Sequence, residues 1–176
     1  MHPYRMQQLI RERRKDQVVN VAQRNSIYQT IERLKRAGLI EVRESSRDER
    51  RPERTVYGIT EEGSATLQAW LREMLSTPAR EFPQFPAALA LLPMVPVSNA
   101  IGHLEARAVA LTEQLGQVDA ELGSVDLPRL FLLEEEYTRA LIEAELRWLH
   151  TLIDDLHTGE ITWDGPWLAA FADHPG

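Results

Sequence analysis

Wound as an α-helix, residues 24–37 bring Asn25, Gln29, Arg33 and Arg36 to within about a quarter turn of one another. Those side chains carry the donors and acceptors that read base edges: Asn and Gln bond bidentately to adenine, Arg to guanine, and any further cation to phosphate. On the opposite side Ile27, Ile31 and Leu34 recur at spacings of four and three, an apolar stripe that fits a core. Arg24, Tyr28 and Lys35 flank the apolar stripe. A solvated charged helix has a similar composition, so this face does not decide the matter by itself. Its neighbours do.

Ala37, Gly38 and Leu39 supply a helix stop, with glycine where a left-handed residue is favoured. Residues 40–44 then alternate apolar and polar as a half-buried strand does. Residues 45–53 contain no apolar side chain and hold Arg47, Arg50 and Arg51, with Arg54 just beyond, before residues 55–59 resume a strand rich in β-branched and aromatic side chains. A polar, arginine-rich loop between two short strands is the pattern of a wing. Thr60, followed by Glu61 and Glu62, reads as an N-cap with acidic side chains in the first helical turn. The helix that follows is expected to bury Leu67, Trp70, Leu71 and Leu75.

Charge is partitioned along the chain. Residues 1–54 hold 14 Lys or Arg against 8 Asp or Glu, whereas residues 76–176 hold 5 against 16. The overall net charge of −7 therefore conceals a basic N-terminal third. Local field governs phosphate contact, because screening acts over about 8 Å in physiological salt.

Several short motifs resemble the PadR-like transcriptional regulators, in the longer subgroup whose C-terminal domain is related to virulence activators. They are His2-Pro3-Tyr4 with Met6 to Ile10, Ser26-Ile27-Tyr28 at the start of the helix, Gly38-Leu39-Ile40 at its end, Arg51-Pro52, and Tyr57 through Gly63. Farther on, Glu135-Glu136-Tyr137 and Ala144 through Leu149 look like the final helix of that subgroup. The resemblance implies a homodimeric, signal-responsive regulator, usually a repressor, on a palindromic operator. The expected DNA-contacting set is Arg24, Asn25, Ser26, Tyr28, Gln29, Arg33 and Arg36 with the four wing arginines. In that family an apolar helix precedes the His-Pro-Tyr motif. Here the motif follows Met1 directly, so the face carrying Leu9, Ile31, Leu34 and Leu39 is expected to lose part of its cover.

The C-terminal half reads as a helical assembly. Between residues 99 and 123, Leu104, Ala108, Leu111, Leu115, Val118 and Leu122 form a heptad seam. Residues 127–157 carry two apolar stripes: Leu130, Leu133, Tyr137, Leu141, Ala144, Trp148 and Leu152 on one, and Phe131, Ile142, Leu149 and Ile153 on the other. One stripe suits the preceding helix and the other a second subunit. Leu104, Leu111, Leu115, Leu133, Tyr137, Leu141 and Trp148 are the expected dimerisation residues. Residues 76–96 hold five of the ten prolines, and Pro86 is placed to begin a short apolar helix through Leu92. Phe82, Phe85, Trp148 and Trp163 are candidates to line an aromatic ligand pocket, although aromatic residues at such spacing more often belong to a core.

The five histidines are scattered, and neither a phosphate-binding glycine loop nor a nucleophile motif is present, so no enzyme is indicated. His150, Asp154 and His157 share one helix side at zinc-ligand spacing, but a solvated polar face is the stronger reading, and no metal or other cofactor is expected. With no cysteine there is no thiol chemistry. No apolar run approaches the roughly 18 residues of a membrane helix, and no leader pattern appears, which suits the cytoplasm. The aromatic tail from residue 159 is expected to fold back on the helices.

The expected fold is mainly α with a small β-wing: a winged helix-turn-helix over residues 1–75, a Pro-rich hinge over 76–97, and an antiparallel helical dimerisation domain over 98–176. The expected partners are double-stranded operator DNA, a second copy of the chain and a small aromatic or hydrophobic effector, with no membrane. A dimeric helical interaction module that has lost DNA binding is the alternative, and a regulator of the MarR kind a lesser one.

Overall fold

The structure, a computed structural model, describes residues 1–12, 24–46 and 54–166. The chain divides into two compact units, Met1–Arg80 and Glu81–Gly176.

In the first unit, α1 (Pro3–Glu12) is followed by α2 (Arg24–Arg36), a hairpin of β1 (Ile40–Ser46) and β2 (Arg54–Ile59), and α3 (Glu61–Ser76). The stripe read from sequence is the one that faces inward: Ile31 is 5% exposed, and Ile27 and Leu34 are half-buried. Leu9 and Leu39 also keep partial cover. Gly38, at φ 72°, ends α2 in the left-handed region that glycine adopts without strain. Its neighbour Leu39 accepts the Thr60 amide at 3.2 Å, while the Thr60 hydroxyl donates to the Gly38 carbonyl at 2.8 Å and accepts the Gly63 amide at 3.0 Å. Thr60 thus caps α3 and ties its start to the end of α2. Gly63 permits this closeness, since a Cβ there would lie 2.0 Å from the Leu39 carbonyl oxygen. The strands pair antiparallel from Ile40↔Ile59 to Ser46↔Arg54, and β1 runs two residues farther than its alternation predicts.

Beyond its first turns α3 departs from expectation. Leu67, Trp70, Leu71 and Leu75 are all exposed, Leu75 at 86%. The close approach of α3 to its neighbours is at its first turn, where Gly63 meets Leu39 and Ile59, so the apolar side chains of its later turns stay uncovered. Only Gly63 is buried on α3, and Thr66 partly so.

The second unit holds α4 (Gln84–Ala90), a 3₁₀ turn at Leu92–Met94, α5 (Val97–Ser124), a second 3₁₀ turn at Arg129–Phe131 and α6 (Leu133–Thr158). Pro86 sits inside the first turn of α4 and does not begin it; Pro83 is the N-cap. A proline is tolerated there because first-turn amides have no intrahelical acceptor. Its core is the seam of α5 against one stripe of α6: Leu104, Ala108 and Leu111 meet Ile142, Leu146, Leu149, Ile153 and Leu156, with Leu115 and Val118 at the margin. Glu105 faces His157 near one end, and Asp119 faces Arg139 toward the other, so the two helices run antiparallel. Gly159 at φ 78° closes α6.

This settles which α6 stripe turns inward and corrects part of the expected dimerisation set. Leu104 and Leu111 are spent inside the chain, and Leu115 is partly so, because the α5 seam has α6 to bury it. Leu133, Tyr137, Leu141 and Trp148 remain exposed, Tyr137 at 67%. Leu130 and Phe131 lie on the 3₁₀ turn, outside α6, and are exposed.

Candidate nucleic-acid interface

The outward side of α2 gathers the groups that the sequence pattern assembles. Tyr28, Gln29, Glu32, Arg33 and Arg36 line a shallow groove of about 480 Å³. Thirteen residues give this helix a length of about 20 Å, enough to lie in a major groove about 12 Å wide. Its last turn carries Arg33, Lys35 and Arg36, cations that suit the negative end of the helix dipole. Arg33 donates to the Thr30 hydroxyl at 3.3 Å and Arg36 to the Glu32 carbonyl at 3.4 Å, so both guanidiniums rest along their own helix. Glu32 was missed in the sequence pattern. It places one carboxylate, an acceptor only, among these cations.

Arg24, Asn25 and Ser26 form the first turn of α2, and Arg54 opens β2, their side chains lying outside the described atoms. Arg47, Arg50 and Arg51 lie outside the described residues, as do Trp167 and Phe171 of the tail. Among the described residues of this unit, then, the structure brings together Tyr28, Gln29, Arg33 and Arg36.

This arrangement is a helix with a polar outward face, a glycine stop, and a hairpin returning to a capped third helix. Residues 1–69 match the Transcriptional regulator PadR-like family. Over that N-terminal segment the chain is similar to the family. The chain is similar to Bacillus subtilis PadR in complex with operator DNA, with a TM-score of 0.70 at 16% identity over 89% of this chain and 91% of that one. It is equally similar to Bacillus subtilis PadR in complex with p-coumaric acid, at 0.70 and 15% identity over 89% and 90%. A PadR-like transcriptional regulator from Bacillus cereus matches at 0.51 and 16% identity over 75% of each chain. Comparison with curated proteins finds no match. The chain therefore has the mainly helical PadR fold with a two-stranded wing.

The four aromatic residues proposed for a ligand do not line one cavity. Phe85 alone lines the apolar cavity of the second unit, about 300 Å³, together with Leu89, Leu92, Val95, His103 and Arg107. Phe82 is 84% exposed. Trp148 packs edge-on to Phe85 at 6.2 Å, and Trp163 donates its indole N–H to the Val95 carbonyl at 2.9 Å. These rings fasten α4 and the start of the tail to the helix pair, a structural use that aromatic spacing alone does not distinguish from a binding box. Arg107 lies over the Phe85 ring at 3.7 Å and bonds Glu145 at 2.6 Å.

His157 Nε2 sits 3.3 Å from Glu105. Among the described residues no group of three or more His, Asp or Glu is placed to hold a metal ion, and no helix is long and apolar enough to cross a membrane.

Proposed function

We propose that this chain is a homodimeric transcriptional regulator that represses by binding a palindromic operator and is released by a small aromatic or hydrophobic effector. The carrying observation is the outward face of α2, where Tyr28, Gln29, Arg33 and Arg36 share one groove. In this reading two recognition helices enter successive major grooves about 34 Å apart, while the wing arginines hold flanking phosphates.

Dimerisation is supported by the exposed stripe of α6, Leu133, Tyr137, Leu141 and Trp148, which lies on a helix whose other stripe is already buried against α5. Such an isologous contact would bury the stripe of each copy against the other. The apolar cavity around Phe85 and Leu89 is the proposed effector site, with Arg107 and His103 as its polar groups. An effector that prefers one arrangement of the two subunits shifts DNA binding only by its differential affinity for the two arrangements. Membership of the virulence-activator subgroup rests on the likeness of residues 135–149.

The test is selection from random duplex DNA with the purified chain, followed by salt titration of the recovered sequence. An enriched inverted repeat with a steep salt slope is expected. Recovery of no sequence, with a well-folded dimer, would favour an interaction module that has lost DNA binding.

A further inference from the structure

The hairpin carries a cation that the sequence pattern passes over. Its ladder is in register from Ile40↔Ile59 to Val42↔Tyr57 and again from Glu44↔Val56, with a shift between Val42 and Glu44 that leaves Arg43 without a partner on β2. A bulge residue of this kind has its side chain re-aimed by the local twist. Arg43 lies two residues from Glu41, whose partner across the ladder is Gly58, and residues paired across strands share a face.

The arginine lies across that glycine. A Cβ on Gly58 would be 2.2 Å from Arg43 Nε and 2.6 Å from its Cδ, so the side chain occupies the space that any other residue would fill at position 58. Gly58 is not among the glycines with positive φ, so room is what the position requires, not backbone freedom. The acidic neighbour of the guanidinium is Glu41 at 3.8 Å, with both side chains about 60% exposed. An exposed pair at that distance contributes little and is readily exchanged for another anion. Arg43 also stands on the strand that leads from α2 into residues 47–53, where the sequence places three more arginines.

We propose that Arg43 is a phosphate contact of the DNA complex, positioned by the β-bulge and by the open space over Gly58. The proposal rests on the DNA-binding reading above. On binding, the guanidinium leaves Glu41 for a phosphate oxygen, a charge-assisted bond that Arg makes well and that carries no sequence information.

The experiment uses the full chain and two duplexes, the selected one and a random-sequence control, titrated from 50 to 200 mM salt. Arg43→Gln is expected to reduce the slope of log K against log salt by about 0.9 and to weaken both duplexes alike, about eightfold at 0.1 M salt. Arg43→Lys, which keeps the charge, should retain the slope. Gly58→Ala should displace the arginine and lose most of the same affinity, yet change nothing further in the Arg43→Gln background. An unchanged slope in Arg43→Gln with normal wild-type binding would overturn the Arg43 assignment and leave the regulator reading intact. Equal weakening by Gly58→Ala in both backgrounds would overturn the positioning role of Gly58. Absence of wild-type binding to either duplex would overturn the regulator reading and this contact with it. If Gly58→Ala fails to fold, the two Arg43 variants decide.

Discussion

Replacing Thr60 by valine keeps the shape of the side chain and removes its hydroxyl, which in this structure makes two bonds at once. The hydroxyl accepts the Gly63 amide at 3.0 Å and donates to the Gly38 carbonyl at 2.8 Å. Loss of an N-cap costs about 1 kcal/mol, and loss of a partly solvated hydrogen bond about 1 more, since water can replace some of it. The expected destabilisation is about 2 kcal/mol. If the 80 residues of the first unit unfold alone, their unfolding entropy is about 0.17 kcal/mol/K and the midpoint falls by about 12 °C. If all 176 residues unfold together, the fall is about 5 °C. Circular dichroism at 222 nm on heating measures either value, and the size of the shift reports which cooperative unit contains the junction. Thr60→Ser, which retains the hydroxyl, should recover most of the loss. A valine variant within about 2 °C of wild type, or a serine variant that falls as far, would refute the reasoning that this hydroxyl ties α2 to α3.

Three other outcomes are expected. Gln29→Ala should relax sequence preference in a repeated selection, whereas Arg51→Ala should weaken all duplexes and lower the salt slope by about one; equal effects on specificity would remove the division between base and phosphate contacts. Leu141→Arg, on the exposed stripe of α6, should yield a monomer by analytical ultracentrifugation with its helical signal intact, and an unchanged dimer would take that stripe out of the interface. Three hydrogen bonds from Arg129, at 3.0, 3.0 and 2.9 Å, hold Glu136 below its ordinary 4.5. A carboxyl lowered in the folded state adds stability that is complete above its unfolded pKa and fades as pH falls through the folded one. Denaturant midpoints of wild type and Glu136→Gln should therefore converge on acidification below about pH 4.5, with only a small gap at neutrality because the pair is exposed; a gap that widens with acid would contradict the assignment.

The periodic residues alone determined a good deal. Ile27, Ile31 and Leu34 against Gln29, Arg33 and Arg36 defined the two sides of α2, Gly38 its end and Thr60 the next cap, because helix period, left-handed stops and caps are local properties. The α5 seam from Leu104 to Val118 was legible for the same reason. The residues of α6 offered two apolar stripes of similar strength, and only packing against α5 chose Ile142, Leu149 and Ile153 for the interior and left Tyr137 and Leu141 outside. Sequence likewise could not show that Leu71 and Leu75 stay uncovered, since burial depends on the area a neighbour can supply. Phe85, Trp148 and Trp163 were separable into cavity wall and fastening rings only once their partners were in place. Arg43 was the least visible of all. Its bulge belongs to the pairing of two strands and its resting place to the missing side chain of Gly58, fifteen residues away along the chain. A relation between residues brought together by register has no period, and so leaves no signal in either segment read alone.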